Sequence, residues 1–540
     1  MKINSITIDQ NNANLLERCD CNLDNLTKVD NNYIIETPTD IVNSIGAFFE
    51  TINAPRFINQ DTLLKVIVDT KVNTLTRSFI HNIENNLTIT NFSGTNPASN
   101  PQFIEDSILF HNTTQIMNIF HSLPNKFSAG LDNIPPIVLK HLPTIIISAY
   151  TIIFNNCLNN RFYPEAWKKA KILPILQKGK PPNEVTSYRP ISLTPSISKV
   201  YEVLINNTLN HYTNLNSIIP DNQFGFKHKH STTHALHKLL NDINSHLHNK
   251  EMVCACFVDL ERAFDSVWIN GLINKLHQLK YPLDLIQLIW HMTRDRKFQT
   301  WDGENLSTIT FDIIEGLMQG TVNSPALFNI FTHNIPNLFN LNSDNITHSL
   351  AIADDLIILT ANTNLKVAQH DLEILVNKIN NVYAQWNLRI NLSKCETIVF
   401  HKPLRFLPIT KRNAIKNFSI NIINKNNDKQ IIENKKKVKY LGLQFDYLLR
   451  LNDHSINQLQ KAKNSFRANS RIFFNKNLSP RTKIICYLLL IRPIITYAAP
   501  ILWNMSASLM EKLRKFERMC IRTALHAFRK DDDSKHFINS

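Results

Sequence analysis

The chain has 540 residues, 43% of them hydrophobic, enough for two to four domains that each bury a core. Collagen-like, wholly disordered and disulfide-stapled small-domain classes are thereby excluded. Lys and Arg total 59 against 44 Asp and Glu, a formal charge of +15, so a polyanionic partner is expected, nucleic acid first and an anionic membrane surface second.

Glycine is scarce, 10 residues against an average usage of about 7%, and about one residue in eight is Asn. Base-composition bias in the coding DNA would account for the Asn, Ile and Lys load without a functional cause. The eight cysteines form no C-x-x-C pair or Cys/His ladder, so neither a zinc site nor a disulfide framework is expected. The N-terminus has no charged-then-apolar signal pattern, and the longest apolar stretches, 144–154 and 488–503, are short or carry Arg492. No transmembrane span is expected, and a reducing intracellular setting fits best.

In chain order, residues 1–100 read as a polar, loosely packed leader with one amphipathic helix over 39–53 and a Ser/Asn/Pro/Gly loop over 91–101. Helical spacing follows over 104–123 and 137–156, with a turn at 126–132 between them. A strand over 171–176 runs into a basic loop, 177–182, then a second strand at 188–193 and a helix over 196–212. Strands and helices interleave to about Asp446, which argues for a mixed α+β domain. Beyond it the pattern is helical, over 456–474, 481–497 and 509–528, and 531–533 reads as a solvated tail.

Three segments carry chemistry. Residues 251–260, EMVCACFVDL, read as a buried strand with Val253, Ala255, Phe257 and Asp259 on one face, followed by a helix over 262–279 with Asp265 near its start. Residues 348–360, HSLAIADDLIILT, read as a β-hairpin with Asp354 and Asp355 at its turn. Between them lie a hairpin signal over 297–314 and a glycine-punctuated loop, 316–323, before a helix with Ser324 as N-cap and Pro325 at N1. A strand-end Asp is ordinarily a cap, and Asp pairs commonly make turns. Taken together, three carboxylates on neighbouring strands can hold two divalent metals about 3.5 to 4 Å apart, as phosphoryl transfer requires.

The ordered set is more specific than any member. Lys126 to Asp132, Arg189 to Leu193, Gln223-Phe224-Gly225-Phe226, Phe257 to Asp265, Gly316 to Phe328, Ala353-Asp354-Asp355, Asn391 to Lys394 and Lys439-Tyr440-Leu441-Gly442 together resemble the reverse transcriptases of non-LTR, Jockey-like retrotransposons. The resemblance runs from about Thr37 to the end. Gly130, Gly225, Gly316, Gly320 and Gly442, five of the ten glycines, fall inside these motifs.

The resemblance implies an α+β right-hand polymerase of fingers, palm and thumb, with an antiparallel palm sheet and a helical C-terminal extension. Its divisions would be a partly helical leader over 1–120, a helical lead-in to the fingers over 121–154, fingers and palm over 155–446, and thumb with extension over 447–540. It implies RNA-directed DNA polymerase activity on an RNA template, a DNA primer and dNTPs, with two Mg²⁺ ions, or Mn²⁺ in their place, on Asp259, Asp354, Asp355 and the Leu260 carbonyl. Arg189, Lys178 and Lys180 match residues that neutralise the triphosphate. Phe264 matches the aromatic that excludes a 2′-OH, and Gln319 and Gly320 match the loop lining the nascent base pair. Lys394 matches a lysine that protonates pyrophosphate, and Tyr440, Leu441 and Gly442 match the primer grip. The basic C-terminal residues, from Arg471 and Lys483 to Arg522, would track template and primer phosphates.

The chain departs from the family pattern at Ile352, where an aromatic residue is usual, and its leader is too short for the endonuclease that such elements carry. A truncated element product or a fragment is therefore expected, with a degenerate or domesticated copy that binds nucleic acid without polymerising as the alternative. Action in nucleus and cytoplasm follows from the family alone, no membrane partner is expected, and the sequence leaves any protein partner open.

Overall fold

A computed structural model describes residues 3, 5–8, 12, 14–18, 27–29, 32–55, 63–89, 110–339, 347–423 and 429–527. The expected loop at 91–101, the start of the helix at 104–123 and the acidic tail at 531–533 lie outside these residues. The chain is mixed helix and sheet in two units. Unit one comprises Met1–Asp221, Leu260–Ile335 and Asn380–Arg389; unit two comprises Asn222–Asp259, Pro336–Ile379 and Ile390–Ser540. Among the described residues no helix is long and apolar enough to cross a membrane.

Unit two is built on a four-stranded antiparallel sheet in the order Glu396–Phe400, Met252–Val258, Asp355–Asn362, Thr347–Ile352. Met252–Val258 is central and buried at every position, which is why its seven residues carry no charge. Its odd-numbered side chains Val253, Ala255 and Phe257 enter one core with Leu239, Ile243, Ile357 and Phe400. The hairpin Lys437–Tyr440 with Leu443–Asp446 adds Val438, Tyr440 and Phe445 to that core. Helices Asn452–Ala468, Pro480–Leu490 and Ala507–Ala524 form a second core, with Leu459, Ala462, Phe466, Tyr487, Phe516 and Cys520 at helical spacing. Lys483 is fully buried inside this bundle, beside His526, so it cannot reach a phosphate as the basic pattern had implied.

Unit one holds the sheet Tyr188–Leu193, Lys169–Leu176, Arg296–Thr300, Phe311–Ile313. The helix Pro38–Ile52 packs on it, and Gly46 lies so close to the Phe311 ring that a Cβ there would stand 2.2 Å from it. Ile6, Ile8, Ile35, Ile45 and Phe49 share one core with Ala170, Ile172 and Phe298. The described part of the first 55 residues is therefore a packed layer of unit one, and the expectation of a loose leader is corrected.

Several element boundaries also differ from expectation, and the helices expected over 456–474 and 481–497 are each two, Asn452–Ala468 with Ser470–Phe474 and Pro480–Leu490 with Arg492–Thr496. The single helix over 137–156 is two, Pro136–Lys140 and Thr144–Asn159, because Pro143 caps the second and cannot continue the first. The helix after Asp259 starts only at Ile269, so Asp265 lies in a turn rather than at a helix start. Asn323, not Ser324, caps the helix Ser324–Thr332; the Ser324 hydroxyl instead donates to the Met318 carbonyl at 2.9 Å.

Candidate active site

The acidic residues of unit two converge through strand register. The ladder between Asp355–Asn362 and Met252–Val258 ends with Leu356 opposite Val258, so Asp355 and Asp259 are the next pair along it. The hairpin from Thr347–Ile352 closes with Asp355 opposite Ile352, leaving Ala353 and Asp354 as a two-residue turn. Ala353 adopts φ +56°, a left-handed conformation in which glycine is the ordinary choice. Such a residue stores about 1 kcal/mol or more of strain and persists where its surroundings over-determine it.

Those surroundings come from Asn222–Gly225, which lies along the hairpin's free edge. Phe224 N donates to the Ala351 carbonyl and Ala351 N to the Asn222 carbonyl, both at 2.8 Å. The buried Gln223 carboxamide oxygen accepts from Gly225 N at 2.9 Å and from Ala353 N at 3.2 Å, fixing the turn that carries the acidic pair. Gln223 is a positioning residue that side-chain chemistry alone did not single out; its only signal was its place in the Gln223–Phe226 motif. Phe224 packs against the unit two core, whereas Phe226 is exposed.

Asp259 is held from the other side. Its backbone carbonyl accepts from Asn391 N at 2.8 Å, which brings in the turn that carries Lys394, whose Nζ lies 3.2 Å from Asp259 Oδ2. Asp355 is pushed up to about 6 by burial first, then by the Asp354 and Asp259 carboxylates, with the Lys394 ammonium opposing. Tyr440 is buried against Phe257, its hydroxyl has no hydrogen-bond partner among the described residues, and burial with Asp355 and Asp354 nearby drives its phenol well above the ordinary value. Leu441 at φ +46° and Gly442 at φ +79° turn the hairpin, clamped by the Tyr497 hydroxyl, which donates to the Leu441 carbonyl. Tyr497 is a second residue whose part was hidden, since it lies 56 residues from its partner.

The raised Asp355 gives a pH prediction. Its folded pKa, about 6, exceeds the ordinary 3.8, so proton binding favours the folded chain. That contribution is complete below about pH 4 and is lost as pH rises through about 6. Melting temperature in a chelating buffer should therefore show a downward component between these values that Asp355→Asn removes. An unchanged slope in the variant would assign the effect to other groups.

Unit one gathers the other residues singled out in the sequence. Lys178 and Lys180, both exposed, lie in the connection between Lys169–Leu176 and Tyr188–Leu193, and the exposed Arg189 pairs with Ile175 at the same end of that hairpin. Gln319 Nε2 donates to both oxygens of the buried Asp265 at 3.1 and 3.0 Å. Its carbonyl accepts from Ser192 N at 2.7 Å, and Gly320, φ +110°, has no room for a Cβ beside the Ser192 carbonyl. The ring of Phe264, half-buried, stacks on Phe328 at 4.8 Å. Leu260, directly after Asp259 in sequence, is buried.

Asp259, Asp354 and Asp355 offer hard carboxylate oxygens of the kind that Mg²⁺ or Mn²⁺ prefers, and the repulsion that raises Asp355 is the kind a cation relieves. Among the described residues no three or more His, Cys, Asp or Glu side chains are drawn into a coordination set. The fit is one of donor chemistry and charge, with the Lys394 ammonium balancing Asp259.

The reverse transcriptase (RNA-dependent DNA polymerase) family profile matches residues 176–445, half of the chain, and the chain belongs to that family. The RNA-directed DNA polymerase from mobile element jockey of Drosophila melanogaster is 28% identical over 411 residues, covering 76% of this chain and 43% of that protein. The probable RNA-directed DNA polymerase from transposon BS of the same organism is 32% identical over 346 residues, covering 63% and 36%. These similarities put the chain in the non-LTR, jockey-like branch of the family. It spans less than half the length of these relatives. Apo telomerase from Candida tropicalis is a solved structure with 14% identity over 70% of this chain and 67% of that one, at a TM-score of 0.39.

Proposed function

We propose that the chain is an RNA-directed DNA polymerase that transfers a nucleotide from a dNTP to the 3′-OH of a DNA primer on an RNA template, releasing pyrophosphate. The observation that carries the reading is the meeting of Asp259 with the Asp354-Asp355 turn at the ends of two paired strands. The unit two sheet is then the palm, the unit one sheet belongs to the fingers, and the helices after Asp446 are the thumb and its extension.

Asp259, Asp354 and Asp355, with the Leu260 carbonyl, would hold two divalent cations, Mg²⁺ or Mn²⁺. Bound there, such ions lower the pKa of the primer 3′-OH and stabilise the triphosphate and leaving pyrophosphate. The chain's own residues do the rest. Gln223 and Gly225 fix the turn, so the carboxylates are oriented before substrate arrives. Lys394, exposed and salt-bridged to Asp259, holds a proton at Nζ for the leaving pyrophosphate. Arg189, whose guanidinium suits a forked contact with phosphate oxygens, Lys178 and Lys180 neutralise triphosphate charge. The Phe264 ring, braced by Phe328, disfavours a 2′-OH, and Gln319, held by Asp265, with Gly320 lines the nascent base pair. Tyr440, Leu441 and Gly442 support the primer. Exposed basic residues of Ala507–Ala524, such as Lys512 and Arg514, add salt-dependent affinity for nucleic acid.

Primer extension on an RNA template with dNTPs and Mg²⁺, beside a salt series of RNA binding, tests this reading. Mg²⁺-dependent DNA synthesis is expected. Tight RNA binding with no extension in either Mg²⁺ or Mn²⁺ would overturn it.

A further inference from the structure

We propose that His246 and His348 form a two-nitrogen site for a divalent transition-metal ion of the zinc class, with Glu251 as the carboxylate that orients the ligand ring. The helix Thr232–His248 packs along the edge strand Thr347–Ile352 of unit two and brings together two histidines 102 residues apart in sequence, a separation at which no Cys/His ladder could reveal them.

Their Nε2 atoms face each other at 3.2 Å, with the rings inclined at 57°. Two nitrogen ligands of a tetrahedral zinc ion, each about 2.0 to 2.1 Å from the metal, stand about 3.3 Å apart, so the rings are already spaced as a pair of ligands. On the far side of His246, Nδ1 lies 2.6 Å from Glu251 Oε2. A proton held on Nδ1 by that carboxylate leaves Nε2 with its lone pair, as in the carboxylate–histidine–metal arrangement that fixes a ligand's tautomer and raises its basicity. Asp242, one helical turn before His246, adds negative charge beside His348, and it engages the neighbouring Lys238 at 2.6 Å. His246 is 3% exposed and held by packing, while His348 is half-buried, which leaves a side from which an ion and water can enter.

Among the described residues no third His, Cys, Asp or Glu completes a cluster, so the remaining positions fall to water. Imidazole favours Zn²⁺ or Cu²⁺ over Mg²⁺, which separates this site chemically from the acidic one. The edge strand links the two in sequence: His348 lies near its start, and it ends at Ile352, just before the Ala353-Asp354 turn. An ion on the histidine pair would therefore clip the strand that carries the turn to the helix beside it.

The full chain, stripped with a chelator and returned to millimolar Mg²⁺ to occupy hard-oxygen sites, is titrated with Zn²⁺ by calorimetry and with Co²⁺ as an optical probe, beside His348→Gln and Glu251→Gln. The wild type should bind one Zn²⁺ per chain, gain a Zn²⁺-dependent rise in melting temperature and develop Co²⁺ ligand-field absorption. His348→Gln, at a half-exposed position where an amide still hydrogen-bonds, should fold and lose at least about tenfold in affinity together with the Co²⁺ band. Glu251→Gln should weaken binding about 10- to 100-fold with both rings retained. No binding by the wild type, or equal affinity and stoichiometry in wild type and His348→Gln, would overturn the proposal and leave the two rings as a plain hydrogen-bonded pair.

Discussion

Asp355→Asn should reduce single-nucleotide incorporation by on the order of 10³-fold or more, while the melting temperature in a chelating buffer stays the same or rises. The two halves of that result have one cause. Like charges facing one another on neighbouring strands destabilise a sheet, and Asp355 lies one step past the Leu356–Val258 pair on the side of Asp259, where the Asp354 and Asp259 carboxylates both act on it. Its raised pKa measures that conflict together with burial. A neutral amide of nearly the same shape ends the repulsion, and the strand retains its pairing with Ile352. On the proposed reading the chain keeps, at some cost in stability, a carboxylate that its chemistry needs. The checks are rapid-quench incorporation with Mg²⁺ and thermal melts with chelator on the same preparations, with RNA affinity as the control. A fall of several degrees in the melts, or incorporation within tenfold of wild type, would make the acidic cluster structural.

Much of this arrangement was legible in the sequence because it is local. Seven uncharged residues, 252–258, can be little other than a central strand, and the HSLAIADDLIILT pattern sets both arms of a hairpin and its turn. What the sequence could not convey is which distant backbone supports that turn. Gln223 acts on Ala353 across 130 residues, and Tyr497 clamps Leu441 across 56. Neither side chain has a chemistry that marks it in isolation. The N-terminal layer was misread for a different reason. Its Asn-rich composition conceals the short apolar run of Ile6 with Ile8, and the amphipathic pattern over 39–53 carries no sign of the strands, more than 100 residues later, that complete its core. The break at Pro143 was open to the proline rules, yet the apolar spacing on both sides of it read as one helix over 137–156.

Gly225→Ala is expected to destabilise the chain by about 1 to 3 kcal/mol or more and to depress primer extension beyond what the loss of folded protein explains. The reason is space. A Cβ on residue 225 would stand 2.2 Å from Ala353 N and 2.9 Å from the carbonyl carbon of Ile352, and backbone atoms cannot swing aside as a side-chain end can. Retreat is blocked on the other side, because Phe224, Gln223 and Asn222 are all bonded to the same hairpin at 2.8 to 3.2 Å. The strain must then move the Ala353-Asp354 turn, which already holds a non-glycine residue at positive φ. Gly303→Ala provides the contrast: that residue sits at φ +115° with nothing within 4 Å of the methyl that alanine would add, so its substitution tests conformation without contact. It should cost about 1 to 2 kcal/mol and leave the incorporation rate per folded molecule unchanged. Denaturant midpoints give the stabilities and quench-flow on the folded fraction gives the rates. If Gly225→Ala loses stability but keeps the wild-type rate per folded molecule, the Asn222–Gly225 segment serves the fold alone, and the positioning of the acidic turn must be sought in the hairpin itself.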